Sequence, residues 1–143
     1  MLTSGTRAPD FSLKDSEGQT VTLSQFRDKS HVVLVFYPGD NTPVCTKQMC
    51  GLRDDYSAFK DAGVVILGIN PQSAESHQGF SAKHGLPFPL LVDSEGSVIR
   101  AYGCKGLLMT ARTVYGIDKA GTIVFAQRGR PSSSEILAAF KPK

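Results

Sequence analysis

Two kinds of hydrophobic pattern divide this chain. From Val32 to Tyr37 every position is apolar and valine dominates, as in a strand buried on both faces of a parallel sheet. Val64 to Ile69 reads as a second strand of that sort. Between them Cys45, Met49, Leu52, Tyr56 and Phe59 recur at spacings of four and three, which predicts one helix from Pro43 to near Gly63 with a single core-facing stripe. Thr42 offers a capping hydroxyl, and a proline at the first helical position loses nothing by lacking its N–H. Ala74 to His84, with Gly85 behind it, predicts another helix. Pro87-Phe88-Pro89 interrupts the chain before a short strand, Leu90 to Val92, and Ser94 is placed to cap a brief helix reaching Tyr102.

The ends of the chain change period. Phe11 to Leu23 predicts a hairpin turning at Gly18, with at most one helical turn from Ser24 to Asp28. Arg112 to Ile117, the turn Asp118-Lys119-Ala120-Gly121 and Thr122 to Gln127 predict a second hairpin, and Ser134 to Phe140 a closing helix. Strand and helix alternating between two hairpins describe an α/β fold of three layers: a thioredoxin-like central mixed sheet with helices on both faces and an N-terminal hairpin.

At 143 residues the chain fits one domain spanning positions 1–143, with no internal repeat or linker. Hydrophobic residues at 41% and charged ones at 20% suit a globular protein in water. A net charge of +3 from scattered lysines and arginines gives no footprint for nucleic acid. No stretch approaches the length of a membrane span, and the first residues, Met1 to Arg7, lack the apolar core of a signal peptide, so a cytoplasmic location without membrane contact is expected. Three cysteines, two of them close together, do not form a secreted disulfide framework and suit redox chemistry in a reducing compartment.

Cys45 falls in the first turn of its predicted helix, where unpaired N–H groups and the positive end of the macrodipole favour a thiolate over a thiol. On an intact helix Cys50, five residues on, lies about 7.5 Å along the axis and about 140° around it, which separates the two Cα atoms by about 8 to 9 Å. A disulfide needs about 4.4 to 6.8 Å. A redox cycle through both sulfurs therefore requires the first turns to unwind, which Gly51 eases as a poor helix former.

Pro38, Thr42 and Cys45 spell PxxxTxxC. With Ala8-Pro9-Asp10-Phe11, Phe36-Tyr37-Pro38, Cys45-Thr46-Lys47-Gln48 followed by Cys50, Ala101-Tyr102-Gly103, and Arg112-Thr113 before Ile117-Asp118-Lys119-Ala120-Gly121, the chain resembles a peroxiredoxin, most closely of the Q or bacterioferritin-comigratory-protein subfamily. The resemblance implies a thiol peroxidase for hydrogen peroxide and organic hydroperoxides that uses no cofactor and no metal. Cys45 would then be the peroxidatic nucleophile, and Cys50 the resolving thiol of an intrachain disulfide that thioredoxin or a similar dithiol reduces. Thr42 would hold the peroxide, Arg112 on the penultimate strand would favour the ionised sulfur and steady charge on the leaving oxygen, and Pro38 would shield the pocket from water. Backbone N–H groups of Val44 and Cys45 would complete it. Gln48 stands where many members carry glutamate, so hydrogen bonding survives without negative charge. The short stretch after the last helix holds nothing to lock an oligomer, which points to a monomer and leaves a homodimer open.

Cys104, in Gly103-Cys104-Lys105-Gly106, reads as structural, with a back-up resolving role as the alternative. His31, His77 and His84 show no metal-ligand spacing with the cysteines. One rival function is a thioredoxin-like disulfide reductase, but such proteins use CxxC, whose ends lie about 5 Å apart on a helix and bridge without melting it. Here four residues intervene. The other rival is a non-catalytic redox sensor or chaperone, which would oxidise once and stop.

Overall fold

Strand β3 (His31–Phe36) shows why the buried run has no polar position. Its side chains alternate between two cores: Val32, Leu34 and Phe36 enter one, and Val33 and Val35, with Tyr37 just beyond the strand, enter the other. In the computed structural model, which describes residues 1–140, this strand lies inside a seven-stranded sheet. The other strands are β1 (Ser12–Asp15), β2 (Thr20–Thr22), β4 (Val64–Asn70), β5 (Leu90–Val92), β6 (Thr113–Ile117) and β7 (Ile123–Arg128). Their order is β2-β1-β5-β4-β3-β6-β7. The pairs β3/β4 and β4/β5 are parallel, while β3/β6, β6/β7, β1/β5 and β1/β2 are antiparallel. The sheet is thus mixed, with a parallel centre of three strands and the N-terminal hairpin added at one edge.

Helices α1 (Pro43–Asp54), α2 (Tyr56–Asp61), α3 (Ala74–His84) and α5 (Ser133–Ala138) supply Cys45, Met49, Leu52, Phe59, Phe80 and Ile136 to the core that holds Val33 and Val35. Helix α4 (Ser97–Ala101) and the 3-10 turn Leu23–Phe26 cover the opposite face through Val98, Ile99 and Leu23. Gly68 lets α1 sit close to the sheet. A Cβ there would lie 2.7 Å from Leu90 Cδ2 and 2.9 Å from Met49 Cε, so any larger residue would displace the ends of those two side chains.

Three expectations from the sequence need correction. The cysteine helix is not one piece: it breaks at Asp55, whose backbone turns to φ −98°, ψ 9°. Two consecutive aspartates there oppose the negative end of the macrodipole, and Arg53 ties that end down by donating from Nη1 to the His84 carbonyl at 2.7 Å. Ser94 does not cap α4. Its N-cap is Gly96, and the buried Asp93 carboxylate accepts the Ile99 N–H at 2.8 Å. Finally, Arg112 lies one residue before β6 rather than on it, although its carbonyl still accepts the Gly129 N–H at 2.8 Å.

Candidate active site at the entrance of helix α1

The loop from Pro38 to Thr42 delivers the chain from β3 to α1. Asn41 takes a left-handed backbone, φ 64°, a conformation asparagine tolerates better than most residues. Thr42 follows in extended conformation as the N-cap. Its Oγ1 accepts the Cys45 N–H at 3.3 Å and its carbonyl accepts the Thr46 N–H at 2.8 Å. Pro43 occupies the first turn, as its missing donor allows. The Cys45 N–H is therefore engaged by the cap. Val44, in the same first turn, is 45% exposed.

Cys45 is fully buried, with its sulfur at the head of α1. Arg112 reaches it from the approach to β6: Nη2 donates to Sγ at 3.1 Å, while Nη1 donates to Gln48 Oε1 at 2.7 Å. Gln48 sits one turn below Cys45 on the same helix face, so the two acceptors form a fork that matches the planar guanidinium. An amide oxygen accepts the bond without neutralising the arginine, which leaves its whole charge facing the sulfur. Opposite charges about 4 Å apart gain about 4 kcal/mol at an effective dielectric of about 20. The helix end contributes about 0.3 to 2 kcal/mol. The guanidinium is the larger of the two influences that favour negative charge at this sulfur.

Of the remaining site residues, Thr42 is tied to Cys45 through its cap bond. Pro38 is half-buried at the end of β3 beside the fully buried Tyr37. The exposed Thr42 directs its hydroxyl towards the Gly39 carbonyl at 3.5 Å. Cys50 is half-buried in the unbroken part of α1 and lines a cavity of about 310 Å³ with Asn41, Pro43, Lys47, Lys83 and His84. All three cysteines are free. Cys104 belongs to the core on the far side of the sheet, where its Sγ donates to the Tyr102 carbonyl at 3.5 Å, and burial pushes its thiol pKa up. Among the described residues no cluster of histidine, cysteine and carboxylate side chains is arranged to hold a metal ion. No helix among them is long and apolar enough to cross a membrane.

Sequence reasoning missed the polar cluster behind the loop. Asp40, 6% exposed, accepts at Oδ1 from Tyr37 Oη at 2.7 Å and from Asn70 Nδ2 at 3.4 Å. Its Oδ2 accepts from Ser76 Oγ at 2.7 Å and faces His77 Nδ1 at 2.6 Å. The backbone N–H of Asp40 donates to Gln72 Oε1. Burial alone would push the Asp40 carboxyl up, but the hydrogen bonds from His77, Tyr37 and Ser76 outweigh it and hold the group below the usual carboxylate range. The partners are up to 37 residues away, so no local pattern announces them.

Comparison with known proteins fits this geometry. The AhpC/TSA family profile matches residues 4–126. The chain is 45% identical over 125 residues to the chloroplastic peroxiredoxin Q of Sedum lineare, covering 85% of this chain and 67% of that protein. It is 42% identical over 130 residues to the putative peroxiredoxin bcp of Coxiella burnetii, covering 83% of each. It spans only 58% of the length of the corresponding wheat protein, so the plant relatives carry further sequence outside the match. Among solved structures, peroxidoxin BcpB from Mycobacterium tuberculosis superposes with a TM-score of 0.90 at 29% identity, covering 98% of this chain and 97% of that one. The bacterioferritin comigratory protein of Xanthomonas campestris, described for its alkyl peroxide reduction activity, gives 0.83 at 30% identity over 91% and 89%. With its fold, its capped cysteine helix and these relatives in agreement, the chain belongs to the AhpC/TSA family, in the peroxiredoxin Q and bacterioferritin-comigratory-protein group.

Proposed function

We propose that the chain, acting as one unit over residues 1–143, is a thiol peroxidase. The observation that carries the reading is the 3.1 Å bond from the Arg112 guanidinium to Cys45 Sγ at a capped helix entrance. The alkyl peroxide reduction ascribed to the Xanthomonas campestris relative adds support and extends the substrates from hydrogen peroxide to organic hydroperoxides.

In the first step the Cys45 thiolate attacks one peroxide oxygen: an S–O bond forms, the O–O bond breaks, and the departing oxygen takes a proton to leave as water or alcohol. Arg112 stabilises charge as it moves from sulfur to the leaving oxygen, and Thr42 orients the peroxide. Pro38 keeps bulk water from the sulfur. Cys45 has no exposed surface, so peroxide reaches the sulfur only when its surroundings move. In the second step the first turns of α1 unwind and the Cys50 thiolate attacks the sulfenic sulfur. An S–S bond forms, the S–O bond breaks, and the hydroxide leaves as water after protonation. A thioredoxin-type dithiol then reduces the disulfide by exchange. Three free cysteines suit a reducing compartment such as the cytoplasm, and a monomer is the working form.

The test is steady-state consumption of hydrogen peroxide by the reduced chain with a thioredoxin system. Turnover that depends on both Cys45 and Cys50 supports the reading, with Cys50→Ser still completing a single oxidation. Undiminished turnover by Cys45→Ser refutes it. One equivalent of oxidation followed by arrest would instead identify a redox sensor.

A further inference from the structure

The buried pair of Asp40 and His77 is not used by the chemistry above, yet it joins four elements at the point where the active-site loop begins. Tyr37 follows β3, Asn70 ends β4, Ser76 and His77 lie near the start of α3, and Leu91 is in β5. Both carboxylate oxygens of Asp40 and both ring nitrogens of His77 have partners, Nε2 standing 3.0 Å from the Leu91 carbonyl. A carbonyl oxygen only accepts, so Nε2–H donates to Leu91 and Nδ1 faces Asp40 Oδ2. Neither side chain has exposed surface. Such a pair resists distortion because moving either partner strands the other in the core.

Its location gives it leverage on catalysis. Asp40 is two residues from Thr42 and five from Cys45, with only the left-handed Asn41 between the anchored carboxylate and the helix cap. Tyr37, bonded to Asp40, packs in the same core cluster as Cys45 and Met49. We infer that the Asp40–His77 pair is a positioning device for the entrance of α1: it holds Thr42 and Cys45 in the arrangement that reduces peroxide, and it resists the unwinding that lets Cys50 reach the sulfenic sulfur. This inference rests on the peroxidase reading. It makes the pair a common control over two successive steps in opposite directions, fast attack when the loop is held and fast disulfide closure when it is released. The same balance sets how often excess peroxide oxidises the sulfenic acid to sulfinic acid, a second oxygen transfer from a second peroxide molecule, before Cys50 closes the disulfide.

The experiment measures both steps separately in the full-length chain. Quenched reactions with hydrogen peroxide, followed by mass spectrometry of trapped sulfenic acid, disulfide and sulfinic acid, give the rate of each. Asp40→Asn keeps the shape and leaves a neutral pair. We expect it to slow sulfenic acid formation about 10-fold, since small misplacements of reacting groups cost at least that much. Disulfide formation should accelerate several-fold, the sulfinic fraction should fall, and amide exchange at residues 42–49 should quicken. His77→Asn, whose amide nitrogen stands where Nδ1 stood, should retain more of the first rate than His77→Leu. A purely structural role predicts something else: both rates falling together with the folded fraction, or neither changing beyond twofold, and either result overturns the inference. Should Asp40→Asn fail to fold, Ser76→Ala removes a single bond to Oδ2 and must show smaller shifts of the same opposed signs; equal rates there overturn it as well. The peroxidase reading fails on a different result, full peroxide turnover by Cys45→Ser, so the two failures are distinguishable.

Discussion

Cys45 and Cys104 are both free and both without exposed surface, and they lie on opposite faces of one sheet. Their sulfurs differ in the direction of the hydrogen bond. Cys45 accepts from the Arg112 guanidinium at a helix entrance, whereas Cys104 donates to the Tyr102 carbonyl in the core, where burial raises its pKa more than the nearby Thr113 and Arg128 lower it. Accepting from a cation favours the anion, and donating to a carbonyl requires the neutral thiol. Both sulfurs are buried, so what separates them is the balance between desolvation and the groups that face each one. The sheet between the two also keeps Cys104 from resolving Cys45 in the folded chain.

The contrast can be broken most severely at Cys45. Cys45→Ser should lower peroxide consumption by more than about 10³-fold, the loss of a nucleophile, while Cys104→Ser stays within about twofold of wild type in the same thioredoxin-coupled assay. Next in size is Arg112→Ala. Removing a donor aimed at developing charge costs about 10²-fold in the first step, and the urea midpoint should move far less than the rate does. The third concerns pH. Burial raises the Cys104 pKa in the folded chain above its ordinary value of 9.0. A raised folded value means that the native state holds its proton longer than the unfolded state. Its contribution to stability is complete below about pH 9 and is lost as pH rises through the folded value. Thermal melts across pH 8 to 10 should therefore show a gentler alkaline decline for Cys104→Ser than for wild type. Burial also pushes Tyr115 up to about 12, and that group contributes only at still higher pH. The smallest effect belongs to Gln48→Glu. The bond from Arg112 Nη1 survives, but part of the cation is neutralised, so peroxide reduction should change by less than about threefold, read from the second-order rate constant.

How much of this was legible beforehand depends on how local the signal was. The bounds of α3 and β5 followed from Gly85, the prolines at 87 and 89 and the apolar run between turns, and the structure places them at Ala74–His84 and Leu90–Val92. The helix entrance at Thr42-Pro43 was equally plain, because the cap and the proline act within one turn. Arg112 was different. It is 67 residues from Cys45, and composition or period gives no reason to bring them together; only the family resemblance did. The break at Asp55 was hidden because the apolar stripe continues across it through Tyr56 and Phe59. The Asp93 cap was hidden because Ser94, an equally good capping residue by type, stands beside it. Asp40 and His77 left no trace at all, since a lone aspartate in a loop and a lone histidine in a helix look like surface residues until the sheet order brings α3 against that loop.

The central claim is that the Arg112 guanidinium and the helix entrance make Cys45 the reactive sulfur, while burial holds the Cys104 thiol in its neutral form. Site-resolved alkylation tests it most directly. The folded, reduced chain is treated with limiting iodoacetamide at pH 7, and mass spectrometry locates the adduct on each sulfur over time. Cys45 should be modified at least about 100-fold faster than Cys104, as thiolate character dictates, and Arg112→Ala should remove most of that advantage while the chain remains folded. Equal rates at the two sulfurs, or a Cys45 rate indifferent to Arg112, would contradict the account.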